Sequence, residues 1–158
     1  MARAGPGAWL GGVAAAALAA AALRPVPVLE IDNTSRGESW RLALGAGETF
    51  SVTSHHSIYD QPVTEEFSAG PGGGIALRAV ASPSAAVLEY FGITAPGERH
   101  AVERILGRIA FRVAMGTPQA LRLGGRERSF LEFGDHGDRL VMQLASEPAV
   151  ARWLATHP

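Results

Sequence analysis

The chain contains neither cysteine nor lysine. Without cysteine there can be no disulfide, no thiol chemistry and no lipidated cysteine anchor, although export stays open because many exported proteins fold without bridges. All fourteen basic residues are therefore arginine. Alongside the many alanines and glycines this reads as the compositional bias of a GC-rich genome, so arginine clusters carry little weight as phosphate sites. Charge of one sign is also lacking: the formal net charge is −1 and the isoelectric point about 6.5. Nothing in that balance argues for a nucleic-acid partner or an anionic membrane surface. No internal repeat is visible, and the one long apolar run stands at the start.

That run defines a leader over residues 1–23. Arg3 supplies a small basic start, an alanine-rich stretch follows over 8–23, and Ala20 and Ala22 are small enough for a signal peptidase. The stretch is shorter than the roughly 20 strongly apolar residues of a spanning helix, so cleavage is expected over an uncleaved anchor. Arg24, Pro25 and Pro27 then end any helix. The expected organisation is a signal peptide or N-terminal anchor over 1–23 and a single β-rich domain over 24–158. Its place is outside the cytoplasm, in the periplasm or an equivalent compartment, with membrane contact only through an uncleaved leader.

The body alternates apolar and polar residues at the period of a strand. Residues 26–31 read as an edge strand because two prolines lie in or beside them, and Asn33 to Gly37 as a turn; the Asn33-Thr34-Ser35 sequon is taken as part of that turn. Trp40, Leu42 and Leu44 alternate as a half-buried strand closed by Gly45 and Gly47. Residues 70–74 are glycine-rich but lack the lysine and hydroxyl of a phosphate loop, so a flexible connection is expected. Ser82, Pro83 and Ser84 precede a short helix over 85–91 that Gly92 ends, with Val87, Leu88 and Phe91 as its buried face. Over 97–107 helical and strand periods compete, and a strand is expected from Arg108 to Ala114. A meander follows through Leu121 and Leu123, the Gly124-Gly125 turn, a strand over 130–133, a turn at Asp135, His136 and Asp138, and a strand over 140–144. Ser146, Glu147 and Pro148 can open a C-terminal helix that docks through Val150, Trp153 and Leu154. Eight or nine short strands with one or two short helices predict an all-β antiparallel sandwich or barrel.

Chemistry concentrates in residues 50–67, FSVTSHHSIYDQPVTEEF. Phe50, Val52, Ser54, His56 and Ile58 share one face of an extended strand; Val63, Glu65 and Phe67 share one face of the next. Asp60, Gln61 and Pro62 mark a turn, and a four-residue loop over 59–62 sets Ile58 against Val63, His56 against Glu65 and Ser54 against Phe67 on the core side. His55 then meets Glu66, and Ser57 meets Thr64, outside. The prediction is a buried His56–Glu65 pair, because a lone buried carboxylate costs several kcal/mol unless partnered. Such a pair can be structural, can belong to a ligand or partner site, or can act chemically. His55, His56, Asp60, Glu65 and Glu66 form no complete ligand set, and no G-x-S-x-G elbow surrounds Ser57. Neither metal, cofactor nor catalytic residue is therefore assigned. A Glu65→Ala change is expected to cost more stability than Glu66→Ala.

His56-Ser57-Ile58, Pro62-Val63, Glu65 and Phe67 resemble the signature of the domain of unknown function 1850 family, with weaker similarity over about 40–144. The resemblance implies a small exported bacterial protein of a family often encoded beside TAXI-type TRAP transporters, with no established activity. The cluster it marks is His56, Ser57, Pro62 and Glu65, flanked by His55, Asp60 and Glu66. The chain departs from the family at SPSAAVLEYFGI (82–93), where many members carry a glycine-rich strand. Two functions follow as expectations: a non-catalytic accessory that touches the TRAP membrane subunit or its solute-binding protein, or a hydrolase or metal-dependent enzyme using the His56 and Glu65 cluster.

Overall fold

Alternating side chains along ten short segments commit this chain to sheet, and a computed structural model, which describes residues 19–150, arranges them as an all-β sandwich. The strands are β1 (Pro25–Asn33), β2 (Glu38–Ala43), β3 (Thr49–His56), β4 (Gln61–Ala69), β5 (Ile75–Ala81), β6 (Arg99–Leu106), β7 (Arg108–Arg112), β8 (Ala120–Leu123), β9 (Arg126–Ser129) and β10 (Arg139–Pro148). One sheet has the order β2-β1-β10-β7 and the other β6-β5-β4-β3-β8-β9. Two units divide the chain, residues 27–145 and a second formed by 1–26 with 146–158. In the second, residues 19–23 are helical and the Ala149 N–H donates to the Arg24 carbonyl at 3.0 Å.

The core of the first unit lies between the sheets. Leu29, Ile31, Leu140 and Met142 from the four-stranded sheet and Phe50, Val52, Phe67 and Leu121 from the six-stranded one belong to a single buried cluster. Each such side chain contributes about 1.5–3 kcal/mol when fully buried. A short helix, Ala85–Tyr90, adds Val87 and Leu88 to that cluster. It starts where the sequence places it: the Ser84 hydroxyl accepts from the Val87 N–H, and Gly92 at φ +81° closes the far end by donating to the Glu89 carbonyl.

Several expectations change in detail. Strands number ten among the described residues, against eight or nine expected, because residues 99–106 form β6. Helical spacing obscured it: a bulge sets Val102 and Glu103 together opposite Arg78, so the alternation skips within the strand. Gly107 then passes the chain from the six-stranded sheet to the four-stranded one. Strand β1 is internal rather than an edge, flanked by β2 and β10. Its prolines are tolerated because Pro25 and Pro27 precede the stretch paired with β2, which begins at Val28 opposite Ala43. Residues 130–132 form a 3-10 turn instead of a strand, capped by the Ser129 hydroxyl and by Glu132 reaching back to the Ser129 N–H. Residues 71–73 likewise form a 3-10 turn within the glycine-rich connection. Strand β10 runs through Ser146, Glu147 and Pro148, so no helix opens at Ser146; residues 149–150 are helical, and Trp153 and Leu154 lie outside the described residues.

The Asn33 turn is built by side chains as well as backbone. Asn33 is 1% exposed; its Oδ1 accepts from the Ser35 and Arg36 N–H groups, and its Nδ2 donates to the Phe133 carbonyl at 3.0 Å and to Asp138 Oδ2 at 2.9 Å. Arg36 pairs with both Asp135 and Asp138. The Asn33 hydrogen bond and the Asp135 N–H hold the Asp138 carboxyl below its usual range. Asp135 and Asp138 are thus turn fasteners, and His136 Nδ1 lies 2.6 Å from the Ala114 carbonyl oxygen.

Candidate functional site

The β3–β4 hairpin closes two residues earlier than its Asp-Gln-Pro wording suggests. Ser57 to Asp60 form the loop: the Asp60 N–H donates to the His56 carbonyl at 2.8 Å, and Asp60 adopts φ +48°. Among non-glycine residues aspartate is one of the few that tolerate that region. Pro62 consequently lies inside β4. Pairing of β4 with β5 begins only at Thr64, so the missing Pro62 N–H removes no bond on that side, while its carbonyl accepts from the Ser82 hydroxyl.

This closure moves the register four residues along β4. Ser54 faces Val63 rather than Phe67, His56 faces Gln61 rather than Glu65, His55 faces Pro62 rather than Glu66, and Thr53 rather than Ser57 faces Thr64. An even displacement keeps every residue on its predicted face, which is why the core is right although the partners are wrong. What favours it is packing: Phe50 and Phe67 become directly opposed and stack with ring centres 5.2 Å apart. The price is that Ile58 leaves the strand and joins Tyr59 in the loop, the two being 71% and 44% exposed.

The His56–Glu65 pair therefore does not form. Glu65 sits about 13 Å farther along β4 than Gln61, the residue opposite His56. It is half-buried on the core face with Val52 and Val80 as its cross-strand neighbours, and it makes no hydrogen bond or ion pair. Burial pushes its carboxyl up to about 7, with no charged neighbour contributing. Glu66 points outward and takes a two-pronged bond from Arg99, at 2.9 and 2.7 Å, which lowers its carboxyl below the ordinary range. The outer face beside it carries the Thr53 and Thr64 hydroxyls 3.1 Å apart.

The remaining cluster residues gather at the tip. His55 Nδ1 stands 3.3 Å from Asp60 Oδ1. His56 Nδ1 accepts weakly from the Ile58 N–H at 3.4 Å, and its ring is stacked on Tyr59 at 5.2 Å and met edge-on by Tyr90 at 4.6 Å. Ser57 is exposed within the loop. The seven predicted residues thus divide among the tip (His55, His56, Ser57, Asp60), the strand just below it (Pro62), the core face (Glu65) and the outer face (Glu66). No group of three or more histidine and carboxylate residues placed to hold a metal ion occurs among the described residues.

Two participants escaped the sequence. Tyr90 completes the tip from the short helix and is 66% exposed. Its helical neighbours Val87 and Leu88 face the core, which is the signal that could have marked Tyr90 as outward. Arg99 had no such signal, since it reaches Glu66 across 33 residues and three intervening elements.

Comparison with protein-family models, curated proteins and solved structures finds no match to this chain.

Proposed function

We propose that the protein is an exported, non-catalytic binding component of TRAP-type solute uptake that docks on the membrane subunit or the solute-binding protein through the β3–β4 tip. The observation that carries this reading is the tip itself: Ile58, Tyr59 and Tyr90 are exposed beside His56, at the end of the β3–β4 ladder. Contiguous exposed apolar and aromatic groups are the usual mark of an interaction surface. Acid–base work asks for groups within hydrogen-bond reach of one reacting atom, and the geometry gives His56 and Glu65 no shared substrate position. The transporter association rests on the resemblance of the hairpin wording, and export rests on the alanine-rich leader.

The experiment is affinity purification of the tagged full-length protein from gently solubilised native membranes. Transporter subunits are expected with the wild type and at reduced yield with an Ile58→Ser/Tyr59→Ser double variant. A wild-type protein that elutes alone contradicts the reading.

A further inference from the structure

Beside the tip runs a groove of about 370 Å³ between the short helix and residues 93–98. Its walls are mixed: Pro83, Leu88, Ile93 and Pro96 give apolar surface, and the charged lining residues are Glu89 and Glu98. The groove and the tip share the short helix: Leu88 and Glu89 line the groove, and Tyr90, next in the helix, meets the His56 ring edge-on. Arg99, the cation next along the chain, is held by Glu66 on the outer face. Glu89 and Glu98 make no ion pair or side-chain hydrogen bond, and no arginine lines the groove; Arg78 is the one cation within residues 42–98. Arg78 is occupied with Ser68 and Glu103.

From these three features, a groove with apolar side chains along it, two unpaired carboxylates on its lining and an exposed aromatic tip on the same helix, we propose that the surface takes a basic amphipathic segment of the partner protein. Its apolar side chains would lie along Leu88, Ile93 and the tip, and a lysine or arginine would reach Glu89 and Glu98. Tyr59 and Tyr90 add faces on which a cation can rest. The inference depends on the docking reading and specifies its chemistry. An anionic membrane is disfavoured as occupant by the same carboxylates.

Binding of a dye-labelled 18-residue helical peptide of leucine and lysine to the full-length protein tests it, read by fluorescence anisotropy at low and high salt, beside a leucine and glutamate peptide of the same pattern. The leucine–lysine peptide is expected to bind and to weaken with salt. Glu89→Gln/Glu98→Gln is expected to weaken it by roughly three- to tenfold, the scale of two exposed charge pairs. Tyr90→Ser should weaken it while leaving most of the salt dependence. A Glu127→Gln/Glu132→Gln variant, altered in the β9 region, should bind as the wild type does. Equal binding by every variant, binding of the acidic peptide, or no binding at all overturns the proposal. If native transporter subunits still co-purify with Glu89→Gln/Glu98→Gln but not with the tip variant, docking stands and only the basic partner is wrong; if nothing co-purifies with the wild type, docking itself fails.

Discussion

Glu65 stands directly opposite Val52 across the β3–β4 ladder, with Val80 on its other side, so a carboxyl occupies a place in the sheet where its neighbours are apolar. Its folded-state pKa of about 7 lies above the 4.5 of an unburied glutamate. A group raised in this way contributes stability that is fully present below pH 4.5 and is lost as pH rises through 7. Because the side chain is only half-buried and its carboxyl reaches solvent, the loss should be about 1–3 kcal/mol. Urea melts at pH 5 and pH 8.5 should show it, and Glu65→Gln should flatten most of that difference. An unchanged slope in the variant would contradict the burial of this carboxyl.

The same arrangement reverses the expectation for the paired glutamates at alkaline pH. Glu66 loses a two-pronged bond to Arg99 when truncated, an exposed contact that contributes about 0.5–1 kcal/mol. Glu65 leaves no partner behind, so Glu65→Gln at pH 8.5 should match or exceed the wild type in urea midpoint while Glu66→Ala falls below it.

Asn33 should be the costliest polar residue to remove. It is buried and makes four hydrogen bonds that join the β1–β2 turn to residues 133–138. Asn33→Ala leaves the Ser35 N–H and the Phe133 carbonyl short of partners and should lower stability by about 2–4 kcal/mol, measured by thermal or urea melting.

Phe67 and Ile58 separate the core from the tip. Phe67→Ala empties a stacked position against Phe50 and should cost about 3–5 kcal/mol. Ile58→Ser, at a largely exposed position, should change stability by less than about 0.5 kcal/mol. The observed register requires this contrast, because closure at 59–62 would have buried Ile58 against Val63.

Asp60 fixes where the loop closes. Its positive φ makes Asp60→Gly close to neutral, within about 0.5 kcal/mol, whereas Asp60→Val should lose about 1–2 kcal/mol through backbone strain. Paired urea melts of the two variants check it.

Face assignment was legible in the sequence and partner assignment was not. Alternation put Phe50, Val52, Val63 and Phe67 on the core side, and all four are buried there. The helix cap at Ser84 and the Gly92 stop were equally local and equally readable. Register depends on where a loop closes, and both closures keep the same faces; the Phe50–Phe67 stack and the tolerance of Asp60 for a left-handed backbone decided between them. Strand β6 was hidden by its bulge, and the Arg99–Glu66 bond lies beyond any local pattern. The tip was not legible because the expected loop over 59–62 held Tyr59 but kept Ile58 on the core face of the strand.

The most direct measurement is site-specific photo-crosslinking in native membranes, with the photoreactive residue placed at Ile58 in one protein and at Leu131, another exposed apolar position, in a second. Docking through the tip predicts a defined adduct with a transporter subunit from position 58 and none of that mass from position 131. Adducts of the same mass from both positions, or from neither while the protein remains folded and exported, would contradict docking through the hairpin tip.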